Sequence, residues 1–132
     1  CAGTAVVVRS LRPAAQMLGA EPKAVDDAAR SMATGVRQPR VDGAVTWGDG
    51  LMTGLGEPNF ALMQKHAVRV VTVDEQAMVD GSCFFLQRMK TVVEPSAATV
   101  LAAIRAIAGE LRGARIGLIL SGGNTDFTWL PR

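Results

Sequence analysis

Near its C-terminus the chain reads Leu118-Ile119-Leu120-Ser121-Gly122-Gly123-Asn124, an aliphatic run that breaks into a hydroxyl, two glycines and an amide. Small residues after an apolar strand leave free backbone donors at the carboxyl edge of an α/β sheet, where such folds bind their ligands. Two acidic segments suggest other chemistry. Glu21 and Asp27 flank a strand-to-helix turn, and two carboxylates with a carbonyl from that turn are oxygen donors suited to a hard cation. The same carboxylates could simply serve a helix N-terminus, which favours negative charge. Glu94, in Val92-Val93-Glu94-Pro95-Ser96, precedes an alanine-rich helix and carries the same ambiguity.

The elements that must position these residues follow from hydrophobic spacing. Residues 2–12 read as a helix stopped by Pro13, because proline disfavours helical geometry in the residue before it. Residues 16–20 form a short apolar strand ending at Glu21-Pro22. A helix over residues 24–34 follows, with Asp26 and Asp27 in its first turn and Gly35 just past its end. The glycine-rich stretch over residues 36–58 reads as tight turns. Residues 59–66 look helical, and residues 68–73 are β-branched and strand-like. Thr72-Val73-Asp74-Glu75 fits a capping box, so a helix should start there and run to about Met89. Ala97, Leu101, Ile104, Ala108 and Leu111 recur at helical spacing and predict one buried stripe. Residues 115–120 are the expected terminal strand, leading into Ser121. Helices alternating with short β-branched runs predict an α/β domain with a largely parallel sheet.

Composition narrows the function classes. At 132 residues, 48% hydrophobic and 20% charged, the chain can bury one ordinary core. Net charge is +2 and the 14 Lys and Arg residues are scattered, which argues against nucleic acid as a partner. No apolar stretch approaches the roughly 18 residues of a membrane span, and no signal segment opens the chain, so the cytoplasm is the default expectation. Cys1 and Cys83 are then expected to be free thiols. The chain opens on Cys1, in what reads as mid-helix without a cap, and is expected to be a fragment.

Four segments stand in a telling order: Glu21-Pro22 with Asp26-Asp27, then Trp47-Gly48-Asp49-Gly50, then Val92 to Ala98, then Leu120 to Asn124. Together they resemble the C-terminal half of the pyridoxal-phosphate enzymes of the serine/threonine dehydratase and serine racemase family. The resemblance implies a fold type II, three-layer αβα architecture, with residues 1–132 forming the C-terminal portion of the large domain. It implies that the Ser121 hydroxyl meets the pyridine nitrogen of pyridoxal 5'-phosphate, with Gly122 and Gly123 permitting close approach. Gly50 would lie beside the cofactor ring, with Glu94 near it. Glu21, the carbonyl of Val25 and Asp27 match the divalent-cation site of several members, implying Mg2+, Ca2+ or Mn2+. Asp126, beyond Asn124, is expected to brace the loop.

The family's cofactor-bearing lysine and phosphate loop are implied to lie upstream. Lys23, Lys65 and Lys90 are the chain's lysines, and none sits in the family's lysine motif. No catalytic residue is therefore assigned, and His66 is taken as a surface residue. The implied whole enzyme converts a β-hydroxy amino acid such as serine or threonine to a 2-oxo acid and ammonia, works as a homodimer, and is inactive without its N-terminal half. Amino-acid racemisation shares every one of these motifs. A non-catalytic interaction module is the alternative of another class.

Overall fold

A computed structural model describes residues 1–130. Helix α1 (Ala2–Leu11) ends as expected before Pro13, with Arg12 already non-helical at φ −141° and ψ 77°. Strand β1 (Leu18–Pro22) extends through Glu21, one of the candidate ligands. A single turn of 3₁₀ helix (Lys23–Val25) leads into α2 (Asp27–Thr34), which Gly35 closes in the left-handed conformation at φ 73°. Helix α3 (Glu57–Lys65) starts earlier than expected, because Pro58 sits inside its first turn, where a missing N–H costs nothing. Strand β2 (Arg69–Val73), α4 (Glu75–Phe84) and α5 (Pro95–Ala106) complete the regular elements. A π-helical segment continues α4 through Met89, near the expected end.

The strands β1 and β2 pair in parallel, from Leu18 opposite Arg69 to Pro22 opposite Val73. Alternation along β2 divides its side chains between two cores. Val71 and Val73 pack with Met78, Ala102, Ala103 and Ile107 of the α4–α5 side. Val70, with Val68 just ahead of the strand, joins Ala2, Ala5 and Met63 of the α1–α3 side. Helices thus cover both faces of a parallel sheet, and the fold is αβα as expected. Among the described residues, no helix is long and apolar enough to cross a membrane.

Three local expectations are corrected. The capping box at Thr72 does not form: Thr72 and Val73 belong to β2, and Asp74 is the N-cap residue of α4. Sheet pairing takes the backbone that the box would have needed. The predicted stripe on α5 is also displaced. Ala97 is buried as expected, but Leu101, Ile104 and Leu111 are half-buried and Ala108 is exposed, whereas Ala98, Thr99, Ala102, Ala103 and Ile107 are buried. The cause is the close approach of α4, where a Cβ on Gly81 would stand 3.1 Å from the Ala98 carbonyl oxygen. Small residues, not large aliphatic ones, fit that interface. The terminal strand over residues 115–120 is absent from the described sheet. Ile116, Leu118, Ile119 and Leu120 are exposed, because a strand exists only through pairing and no described strand pairs with residues 115–120.

Candidate functional site

The first turn of α5 gathers three of the candidate segments. Glu94 takes the N-cap position with extended backbone, and its carbonyl accepts the N–H groups of Ala97 and Ala98 at 3.0 and 2.9 Å. Its carboxylate makes no bond to its own helix. Glu94 Oε2 instead accepts the Asn124 N–H at 3.0 Å, and the Glu94 N–H donates to the Gly122 carbonyl at 3.3 Å. Two residues ahead, the Ser96 hydroxyl donates to Asp49 Oδ1 at 3.2 Å and accepts the Gly50 N–H at 3.1 Å. Glu94, Gly50 and the Ser121–Asn124 segment, distant in sequence, are thereby drawn to one helix end.

The glycines expected to admit a ligand lie close against the protein itself. A Cβ on Gly122 would fall 2.8 Å from the Glu94 carboxyl carbon, and one on Gly123 would fall 2.6 Å from the Val92 carbonyl oxygen. Ser121 is exposed, and no hydrogen bond to its hydroxyl is found among the described residues. Beside this group lies a cavity of about 350 Å³ lined by Trp47, Asp49, Glu94, Asn124, Asp126 and Trp129 among others. Asp126, expected to brace the loop, is bonded through its carboxylate to Thr128, beyond Asn124. Its Oδ1 accepts the Thr128 N–H and hydroxyl at 3.0 and 2.8 Å, which hold its carboxyl below the usual range. Sequence reasoning gave no role to Ser96 or Trp129. Ser96 was visible only as a polar residue in the first turn of an apolar helix. Trp129 is buried and donates to Thr125 Oγ1 at 2.5 Å.

The second candidate group surrounds the start of α2. Glu21, at the end of β1, accepts the N–H groups of Ala28 and Ala29 at 3.1 and 2.9 Å. Asp27 Oδ2 accepts the Leu55 N–H at 2.9 Å and ties the glycine-rich loop to the helix. Glu21 and Asp27 are buried, and Val25 lies buried in the turn between them. Burial above all pushes Glu21 up to about 7; Asp27 and Asp26 add to this, while its two N–H partners oppose it. The capping reading and the cation reading therefore meet in one residue. Carboxylate oxygens are the donor type a hard cation takes, and here both Glu21 oxygens and Asp27 Oδ2 already accept backbone N–H groups. A cation's third ligand would have to be a carbonyl, because no group of three or more His, Cys, Asp or Glu side chains with ligand geometry occurs among the described residues. Gly50 joins the two regions, lining a cavity of about 300 Å³ with Glu21, Asp27 and Leu55.

The lysines lie apart from both groups. Lys23 pairs with Asp74 at 2.8 Å, Lys65 ends α3, and Lys90 donates to the Gln87 carbonyl at 2.7 Å; all three are exposed. His66 is half-buried at the end of α3, and both cysteines are free thiols.

A parallel αβα fold with a serine-glycine-glycine-asparagine turn anchored on a helix N-terminus defines a recognisable class. Residues 1–122 match the family described as pyridoxal-phosphate dependent enzyme, and the chain belongs to that family. It is 39% identical over 125 residues to the L-threo-3-hydroxyaspartate ammonia-lyase of Pseudomonas sp, covering 94% of this chain and 39% of that protein. It is 35% identical to the serine racemase of Schizosaccharomyces pombe, covering 94% of this chain and 38% of that one. The crystal structure of a threonine deaminase from T.th. superposes with a TM-score of 0.90 at 38% identity, over 96% of this chain and 46% of that chain. The chain thus spans about two fifths of the length of the curated relatives it matches.

Proposed function

We propose that this chain is the C-terminal portion of a pyridoxal-phosphate-dependent ammonia-lyase that converts a small β-hydroxy amino acid to a 2-oxo acid and ammonia. The observation that carries the reading is the exposed Ser121 hydroxyl, free of partners among the described residues, at the head of a turn tied to α5. Similarity to proteins named for hydroxyaspartate, serine and threonine supports the substrate class, since each of those amino acids carries a β-hydroxyl. The net reaction balances: the water lost in elimination is regained when ammonia is released.

When bound, pyridoxal phosphate supplies an electron sink for the pair released at the substrate's Cα. Ser121 would donate a hydrogen bond to the ring nitrogen and leave it unprotonated, where an aspartate would hold a proton there. Such a restrained setting suffices for β-elimination, because the departing hydroxyl carries the electron pair away. Gly50 and Gly122 would bound the ring side of the site. Glu21, Asp27 and the Val25 carbonyl would hold Mg2+, Ca2+ or Mn2+ as a brace for the start of α2, outside the chemical steps.

The remaining machinery would come from an upstream portion. The chain's two-fifths share of its relatives supports this, as do the uncovered apolar residues Ile116, Leu118, Ile119 and Leu120. Racemisation is the second reading, favoured by the serine racemase relatives, because the same residues serve both outcomes. The test is to offer L-serine, L-threonine and L-threo-3-hydroxyaspartate to the full polypeptide and to residues 1–132 alone. The full polypeptide should form 2-oxo acid and the 132-residue chain none. Turnover by the 132-residue chain would contradict the reading, and D-amino acid as the main product would favour racemisation.

A further inference from the structure

We infer that Glu94 is a positioning residue for Ser121: its carboxylate anchors the Ser121–Asn124 segment in the space a side chain at position 122 would occupy. The inference deepens the proposed function and rests on it for what Ser121 faces, while the anchor itself stands on geometry. Beyond Ala114, whose N–H donates to Leu111, no backbone hydrogen bond ties the described chain to the fold until Gly122. There Glu94 grips both sides of Gly123. Its N–H donates to the Gly122 carbonyl at 3.3 Å, and its Oε2 accepts the Asn124 N–H at 3.0 Å. Ser121 is the residue immediately before this bracket, so its hydroxyl inherits its location from Glu94.

The glycine at 122 completes the device. With its carboxyl carbon 2.8 Å from where a Cβ would stand, Glu94 would have to move its carboxylate off this position if residue 122 carried a side chain. Being the N-cap residue of α5, Glu94 has its backbone fixed by the helix start, which makes it a firm post for a segment that otherwise runs exposed. Glu94 therefore acts through Ser121 and needs no contact of its own with the cofactor.

The test measures hydrogen exchange at the Asn124 amide in the full polypeptide stripped of cofactor, alongside its affinity for pyridoxal phosphate. Glu94→Ala should speed Asn124 exchange about tenfold or more, as loss of a charge-assisted bond implies. Glu94→Gln, which keeps an acceptor oxygen, should restore most of the protection. Gly122→Ala should reproduce the Glu94→Ala effect, and the double variant should be no worse than either, since both remove one anchor. Glu94→Ala and Ser121→Ala should weaken cofactor binding by similar factors without adding. Unchanged Asn124 exchange in Glu94→Ala, or additive effects of the 94 and 122 substitutions, would overturn the inference. A Ser121→Ala protein that binds cofactor normally would instead sink the ring-nitrogen reading, with the anchor still tested separately by exchange.

Discussion

Glu21 and Glu94 look alike in the sequence, each a glutamate before a proline and shortly before a helix, yet the fold uses them in opposite ways. Glu21 turns inward and gives both oxygens to N–H groups seven and eight residues ahead, at the start of α2. Glu94 leaves its own helix start to the backbone and reaches a segment 30 residues away. The first is buried and satisfies a helix terminus; the second is half-buried and holds a turn whose serine is free. A carboxylate at a helix start is thus a donor-seeking group whose N–H partners need not belong to its own helix.

The largest expected effect comes from breaking the inward member of the pair. Glu21→Ala removes the partner of two half-buried N–H groups and should cost roughly 2–4 kcal/mol in denaturant unfolding of the apo-protein. Glu94→Ala frees one N–H, that of exposed Asn124, and should cost about 1 kcal/mol. Equal losses would erase the contrast between the two sites.

A pH profile sharpens the same contrast. Glu21 is raised from its ordinary value of 4.5 to about 7, so the folded chain holds this proton more tightly than the unfolded chain. Its favourable contribution is complete below the ordinary value and is lost as pH rises through about 7. Asp126 is shifted the other way by Thr128, so its contribution is present above its ordinary value and lost as pH falls through the lowered one. In chelator, the loss between about pH 5 and 7 should be seen in wild type and flattened in Glu21→Gln. Superimposable profiles would contradict the burial argument.

The smallest effect falls on the outward site. Ser121→Ala should leave apo-protein stability unchanged and remove about 1 kcal/mol of cofactor affinity, the worth of one neutral hydrogen bond. Equilibrium titration with pyridoxal phosphate and a melting curve check the two halves of that statement.

Much of this architecture was legible because its causes are local. Pro13 ends α1, Gly35 closes α2, and the β-branched run around Val70 and Val71 forms β2. The four ordered segments led to the right family for the same reason, since their residue types stand in the chain itself. What escaped depended on partners distant in sequence. Residues 115–120 look like a strand but lack a pairing neighbour among the described residues, and the buried face of α5 was set by Gly81 of α4. Likewise nothing near Glu94 reveals that its carboxylate closes on Asn124, or that Gly122 lies close against that carboxylate. The resemblance named the candidate residues, but only the fold assigns their hydrogen bonds.

The most direct test of the central claim is the 15N resonance of ring-labelled pyridoxal phosphate bound to the full polypeptide, in wild type, Ser121→Ala and Ser121→Asp. The account expects an unprotonated, hydrogen-bonded ring nitrogen in wild type, loss of the hydrogen-bond shift in Ser121→Ala, and a protonated nitrogen in Ser121→Asp. Identical resonances in all three proteins would show that Ser121 does not face the cofactor.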